Sequence, residues 1–240
     1  MARKRVELSD IHPYHVCARS NNRTWFDIPL SQVFGIYANV MEKAIEKYEI
    51  ECHGFVLMAN HFHMLISTPK SNLSQAMRYF MTETSRAIAR SSHRINRIYG
   101  QRYHWTIIKT AEHYAHVFYY IYRNPIRHRA VSRLNMYRWS TLHPHHRKFN
   151  TLIVPKNEEY DVYIPQDRKT LIQWLESIHD EKYENAIATS LTRHEFTFPQ
   201  DRISGKRISY VDKLHPRRCL APNLECSNQL MSLFFDHGAF

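Results

Sequence analysis

The sequence predicts an α+β fold: an antiparallel sheet backed by helices on the split ferredoxin-like plan, followed by a partly helical C-terminal extension. Two observations carry that expectation. Between Tyr14 and Asn124 the hydrophobic periodicities run strand, helix, strand, strand, helix, strand, helix. The second and third strands are joined through Ala59-Asn60 alone, a link that only antiparallel neighbours can make. A change in charge marks a boundary near residue 150. Residues 1–150 hold 22 lysines and arginines against 9 acidic residues, and residues 151–240 hold 11 against 13. We therefore expect a domain over 1–150 and an accessory region over 151–240.

The elements follow in order. Tyr14-His-Val-Cys-Ala-Arg19 alternates as a strand, and Ser20-Asn-Asn-Arg-Thr24 has turn chemistry. From Pro29 to Tyr48, Leu30, Val33, Phe34, Tyr37, Val40, Met41, Ala44 and Ile45 recur at three and four, which marks an amphipathic helix. Gly54–Met58 and His61–Ile66 form the hairpin. Asn72 is placed to cap a long helix reaching about Asn96, and Gly100 precedes a strand over Tyr103–Ile108. Ala111 to Asn124 reads as a helix stopped by Pro125, because proline disfavours helical geometry in the residue before it. Beyond the basic linker Ser140–Lys148, residues 166–193 carry a helical pattern through Leu171, Ile172, Leu175, Ile178, Ala186, Ile187 and Leu191.

Composition excludes several classes. No apolar run approaches the roughly 18 to 20 residues that span a bilayer, and no apolar segment follows the basic opening Met1–Arg5, so a cytoplasmic protein is expected. The four cysteines, Cys17, Cys52, Cys219 and Cys226, are scattered as reduced thiols; His215 with Cys219 and Cys226 makes at most an incomplete metal set. Five glycines argue against glycine-rich phosphate loops. The basic excess of residues 1–150 suits a polyanion, so nucleic acid is the leading partner.

His61-Phe-His63 places two imidazoles on one side of a strand and Phe62, Met64 and Ile66 on the other. The histidines are expected on the open side of the sheet, close enough to chelate one cation. With 17 histidines the spacing occurs by chance about once, and His143-Pro-His145 is the chance copy. On the later helix, Tyr120 and Asn124 stand four residues apart on one face. A phenol attacks phosphorus poorly at neutral pH unless a cation polarises the phosphate, and an amide oxygen four residues on can complete that cation's shell. Tyr119 and Tyr122 point elsewhere and are expected to pack.

The combination of Asn60-His-Phe-His63 with Tyr120-Ile-Tyr-Arg-Asn-Pro125 resembles the single-tyrosine HUH transposases, and most closely the REP-associated tyrosine transposases. Tyr14–Arg23 and Tyr137-Arg-Trp-Ser-Thr-Leu142 are similar to that group's opening strand and closing segment, so the likeness spans about residues 12–142. The resemblance implies the HUH endonuclease fold, His61, His63 and Asn124 as ligands of a divalent cation, and Tyr120 as nucleophile. Imidazoles with an amide oxygen suit Mg²⁺ or Mn²⁺, and the lack of a carboxylate leans towards Mn²⁺. It implies cleavage and rejoining of single-stranded, hairpin-associated DNA through a 5′-phosphotyrosine. His116, one turn before Tyr120, is a candidate proton-transfer helper.

DNA contacts are expected from Arg19 and Arg23, from the stripe Arg86, Arg90, Arg94 and Arg97, and from Arg123 and Arg127, with Arg129 and Arg133 nearby. Trp25, Phe26 and Tyr14 are candidates to stack on bases. A replication or conjugation initiator with the same chemistry, a DNA-binding protein without cleavage, and an RNA-binding protein on the same sheet are the alternatives. The last calls for aromatic residues on the open strand face, where this chain has His61 and His63. Oligomeric state, monomer or dimer, is left open.

Overall fold

The computed structural model describes residues 6–143, 163–177, 180–201 and 204–214. Four strands, β1 (Tyr14–Arg19), β2 (Glu51–Leu57), β3 (His61–Ser67) and β4 (His104–Ile107), form one sheet in the order β2-β3-β1-β4, with every strand pair antiparallel. The helix α1 (Leu30–Tyr48) joins β1 to β2 while β3 lies between those two strands, and α2 (Leu73–Ser92) joins β3 to β4. This is the split ferredoxin-like plan expected from the order of elements.

Period-two alternation divides the sheet into two faces. Tyr14, Val16, Ala18, Phe62, Met64 and Ile66 pack with α1 and α2 in one buried cluster. The opposite face carries Leu65 and Val56, which pack under α3 (Ala111–Arg127) in a second cluster. The helices α4 (Arg168–Ser177) and α5 (Glu181–Ser190) supply Trp174, Leu175, Tyr183 and Ile187 to that second cluster, so the C-terminal region shares a core with α3. Both sheet edges are covered as well. Leu57 N–H donates to the Trp139 carbonyl at 2.9 Å, and Ile107 N–H donates to the His194 carbonyl at 2.8 Å. Covered edges remove a template for pairing with another chain.

Several expectations are corrected. The second helix ends at Ser92, where His93 adopts a left-handed conformation, so Arg94 and Arg97 lie beyond it and the four-arginine stripe is broken. Pro125 sits inside α3 instead of stopping it. A proline near a helix end removes one backbone hydrogen bond, and here the side-chain amide of Asn124 donates to the Tyr120 carbonyl at 2.9 Å in the same turn. The stop comes three residues later: Arg129 enters the left-handed region, its N–H donates to Ile126, and Ala130 N–H donates to Pro125, the paired bonds of a Schellman ending. The pattern over 166–193 resolves into two helices, α5 being capped by Asp180, which accepts from Tyr183 N–H. Ile178, the copy His143-Pro-His145 beyond its first residue, and the set His215, Cys219 and Cys226 lie outside the described residues.

Helix α3 seats tightly on the sheet at Gly54, beside a bulge at His53. A Cβ there would stand 2.9 Å from both Ile121 Cδ1 and Tyr122 Oη. Gly54→Ala is therefore expected to lower the unfolding free energy by about 1 to 3 kcal/mol, read by urea denaturation; unchanged stability would mean that α3 does not seat this tightly.

Candidate active site

The antiparallel register of β1 and β3 sets Arg19 against His61, Cys17 against His63 and His15 against Leu65. His15, Cys17 and Arg19 therefore share a face with His61 and His63, and His104 of β4 lies beside Cys17 in the next pairing. That face is not open. Helix α3 and the C-terminal region cover it, leaving His61 8% and His63 7% exposed.

Hydrogen bonds fix which nitrogens are available. The Asn60 amide donates to the Arg23 carbonyl at 2.7 Å, so its oxygen is turned to accept from His61 Nδ1 at 2.8 Å. His61 Nε2 is then the lone-pair nitrogen. His63 Nδ1 meets His15 Nε2 at 2.8 Å, and when His63 donates there its own Nε2 likewise keeps a lone pair. Asn124 is fully buried on α3, and its side-chain oxygen has no hydrogen-bond partner. A buried, unpartnered amide oxygen with two neutral imidazole nitrogens fits a hard or borderline divalent cation.

Sequence reasoning missed His15, Cys17 and His128. His15, Cys17 and His63 offer ligand atoms within 4.8 Å of one another. The two rings lie 26° from parallel and their nitrogens face each other across a hydrogen bond, a geometry that supports His63 instead of converging on an ion. Burial pushes the Cys17 thiol up to about 11, so it is protonated at neutral pH. The His128 ring lies 6.0 Å from that of His61. Alternation along β1 was visible in the sequence, but the pairing that brings its odd residues onto the histidine face was not.

Tyr120 lies over the same face. Its ring is 5.9 Å from that of His63 and nearly perpendicular to it, and Arg127 Nη1 donates to its hydroxyl at 3.0 Å. Burial raises the phenol above its ordinary value, with Arg127 opposing that shift. Tyr119 and Tyr122 are buried in packing roles, as expected from their positions on the helix.

The predicted DNA contacts divide. Arg19 and Arg23 line a cleft of about 530 Å³ together with Cys17, His61, His63 and Arg102. Arg86 and Arg90 are exposed on α2, the layer on the far side of the sheet, and Arg86 pairs with Glu83. Arg94 is bound to Asp27, and Arg97 is exposed. Arg123 is corrected: it is 3% exposed and donates through Nε and Nη2 to Glu184, a buried pair that ties α5 to α3. His116 is corrected too. It is fully buried, with Nδ1 2.6 Å from the Tyr183 hydroxyl and Nε2 3.4 Å from Glu112, so it faces the C-terminal region. Tyr14 and Phe26 are core residues, whereas Trp25 is 74% exposed.

Residues 9–124 match the family described as transposase IS200-like. This segment, just under half of the chain, is similar to the IS200-like transposases. It contains both histidines, Tyr120 and Asn124. Among curated proteins nothing matches the chain. The chain shares its fold with a solved REP-associated tyrosine transposase bound to a REP hairpin, at 20% identity and a TM-score of 0.51 over 61% of this chain and 84% of that one. A Deinococcus radiodurans R1 protein described as a candidate transposase matches at 14% identity and a TM-score of 0.35, over 54% of this chain and 95% of its own, too slight a likeness to carry an inference. Among the described residues no helix is long and apolar enough to cross a membrane.

Burial also makes the site acid-sensitive. It pushes His15 down to about 3 and His61 to about 4, and holds His63 well below the ordinary range, while His53, His104, His113, His116 and His128 are lowered as well. Once unfolded these rings titrate near about 6.5. Above that pH both states carry neutral rings and stability is fully present; below it the unfolded chain binds protons that the folded chain refuses. Metal-free protein is expected to lose stability from about pH 6.5 towards pH 4, by up to about 1.4 kcal/mol per pH unit for each such histidine. His15→Gln should flatten that slope in urea titrations at stepped pH, and an unchanged slope would exclude His15 as a contributor.

Proposed function

We propose that the transposase domain cleaves and rejoins single-stranded, hairpin-associated DNA, with Tyr120 as nucleophile and His61, His63 and Asn124 as the ligands of Mg²⁺ or Mn²⁺. The observation that carries this reading is the approach of the Tyr120 ring centre to within 5.9 Å of that of His63 in one chain, with an unpartnered Asn124 oxygen four residues further along the same helix. The solved neighbour's REP hairpin supports a structured DNA strand as the substrate class.

A divalent cation, when bound, supplies a Lewis acid that polarises the scissile phosphate. The residues of the chain do the rest. Asn60 and His15 hold the two imidazoles in the tautomers that leave Nε2 unprotonated. The Tyr120 hydroxyl loses its proton to solvent, its oxygen bonds to phosphorus, and the bond to the 3′ oxygen breaks; that oxygen takes up a proton and leaves as a 3′-hydroxyl. The 5′ end remains esterified to Tyr120. A 3′-hydroxyl from another strand can attack the same phosphorus and release the tyrosine, so rejoining consumes no nucleotide triphosphate. Arg127 donates to the phenolic oxygen that must carry negative charge, and Arg19, Arg23 and Arg102 line the cleft where a phosphodiester backbone would run.

Incubation with a labelled single-stranded hairpin and Mn²⁺ should yield an SDS-resistant protein–DNA adduct. Tyr120→Phe should abolish it with little change in affinity, and Asn124→Ala should raise the Mn²⁺ concentration for half-maximal rate by roughly ten-fold or more. Retention of DNA with no adduct would instead identify a binding protein.

A further inference from the structure

The family match stops at residue 124, and the arginine that donates to the Tyr120 hydroxyl lies beyond it. Arg127 is the link. Its Nη1 donates to Tyr120 Oη at 3.0 Å, its Nη2 donates to Asn185 Oδ1 at 2.8 Å, and its Nε lies 3.9 Å from Glu184 Oε2. Each of the three guanidinium nitrogens thus has an assigned neighbour, and the plane of the group is fixed by contacts on both sides. The guanidinium also lies 5.4 Å from the centre of the Tyr120 ring.

Asn185 and Glu184 belong to α5, whose position on α3 is set independently of Arg127. Glu184 Oε1 accepts from Arg123 Nη2 at 3.1 Å and from the Tyr119 hydroxyl at 3.4 Å, while Tyr183, Ala186 and Ile187 are buried in the cluster under α3. The buried Arg123–Glu184 pair anchors the helix, and the next residue, Asn185, reaches Arg127 from that anchor.

We infer that the C-terminal region is a working part of the active site, with Asn185 and Glu184 as positioning residues that seat Arg127 on the hydroxyl of Tyr120. This rests on the proposal that Tyr120 is the nucleophile. The guanidinium has two duties there: it aims the hydroxyl, and it stabilises the phenolate that must form. A lysine at 127 could supply the charge but not the fork that spans Asn185 and Tyr120. The charged and titratable groups facing Tyr120 are Arg127 on α3, Cys17 on β1 and His63 on β3, with Glu184 of α5 behind Arg127 and His128 past the end of α3.

The test uses the full chain, the labelled hairpin and saturating Mn²⁺ and DNA. Asn185 is exposed, so Asn185→Ala should fold and melt like the wild type, yet form adduct roughly ten-fold more slowly at unchanged DNA affinity. Asn185→Asp, which keeps an acceptor for Arg127, should restore the rate. Arg127→Lys should be slow, and Arg127→Gln should shift the rising limb of the rate profile to higher pH, because the cation that favours phenolate is gone. A purely structural role for α5 would lower the melting temperature and leave the pH profile in place. Should the wild type form a Tyr120-dependent adduct while all the variants match its rate and pH profile, the inference is overturned and the proposed chemistry stands. Loss of affinity alone in Arg127→Gln, with the rate at saturation intact, also overturns it by making Arg127 a DNA contact. No adduct from the wild type, or one that survives Tyr120→Phe, removes the proposed chemistry and the inference together.

Discussion

The antiparallel register between β1 and β3 is the constraint on which the site depends. Side chains alternate with a period of two, so a slip of one residue would send His15, Cys17 and Arg19 to the face packed under α1 and α2 and bring Tyr14, Val16 and Ala18 opposite α3. The cost of that slip is high because the α1/α2 face is filled by large apolar residues, among them Tyr14, Phe62 and Met64, all fully buried. The hydrophobic core thus specifies the polar site without touching it: what pins the histidines on one face is the burial of their neighbours on the other.

That division explains which parts of the site could be read from the sequence. His61 and His63 share a strand, and Tyr120 and Asn124 share a helix turn, so each pair is a local pattern. The convergence of the two pairs, and the support from His15 and Asn60, depend on strand pairing and on where a later helix lands. The elements themselves were legible because their periodicities are strong, and the errors fall mostly at their ends. With five glycines in the chain, the helices α1, α2 and α3 enter the left-handed region at Glu49, His93 and Arg129, residues that do not announce a stop. Pro125 announces one and is accommodated inside α3.

Burial of α3 on several sides accounts for the misassigned residues. Sequence spacing treats a helix as having one buried and one solvated face. In α3 every residue from Tyr114 to Pro125 is buried, because the sheet lies on one side and α4 and α5 lie on the other. Arg123 and His116 look like solvent-facing polar residues on such a wheel, yet both meet partners from the C-terminal region, Glu184 and Tyr183. An arginine in that position is stable only with a carboxylate to meet it, since an uncompensated buried charge is destabilising by several kcal/mol. The basic and acidic parts of the chain are therefore not simply a binding surface and a tail; charges from each, Arg123 with Glu184 and Lys109 with Glu195, are spent in joining them.

Desolvation acts on the site in two opposed ways. It favours neutral imidazoles, and neutral imidazoles are the form that can donate a lone pair to a cation. The same low-dielectric environment resists ionisation of the Tyr120 phenol, which must lose its proton in the proposed mechanism. A site that served only the histidines would leave the tyrosine inert. What bonds to each group separates the two demands: Arg127 donates to the Tyr120 hydroxyl, while His61 and His63 are met by the neutral acceptors Asn60 and His15, and the charge of Arg19 opposite His61 further favours neutral imidazoles. Because Arg127 must be held still to serve that purpose in a partly open position, its second anchor has to come from a rigid element, and the element available is the α5 helix fastened by Glu184. Under the proposed mechanism, the need to ionise a buried phenol beside uncharged histidines gives the C-terminal region a reason to pack where it does.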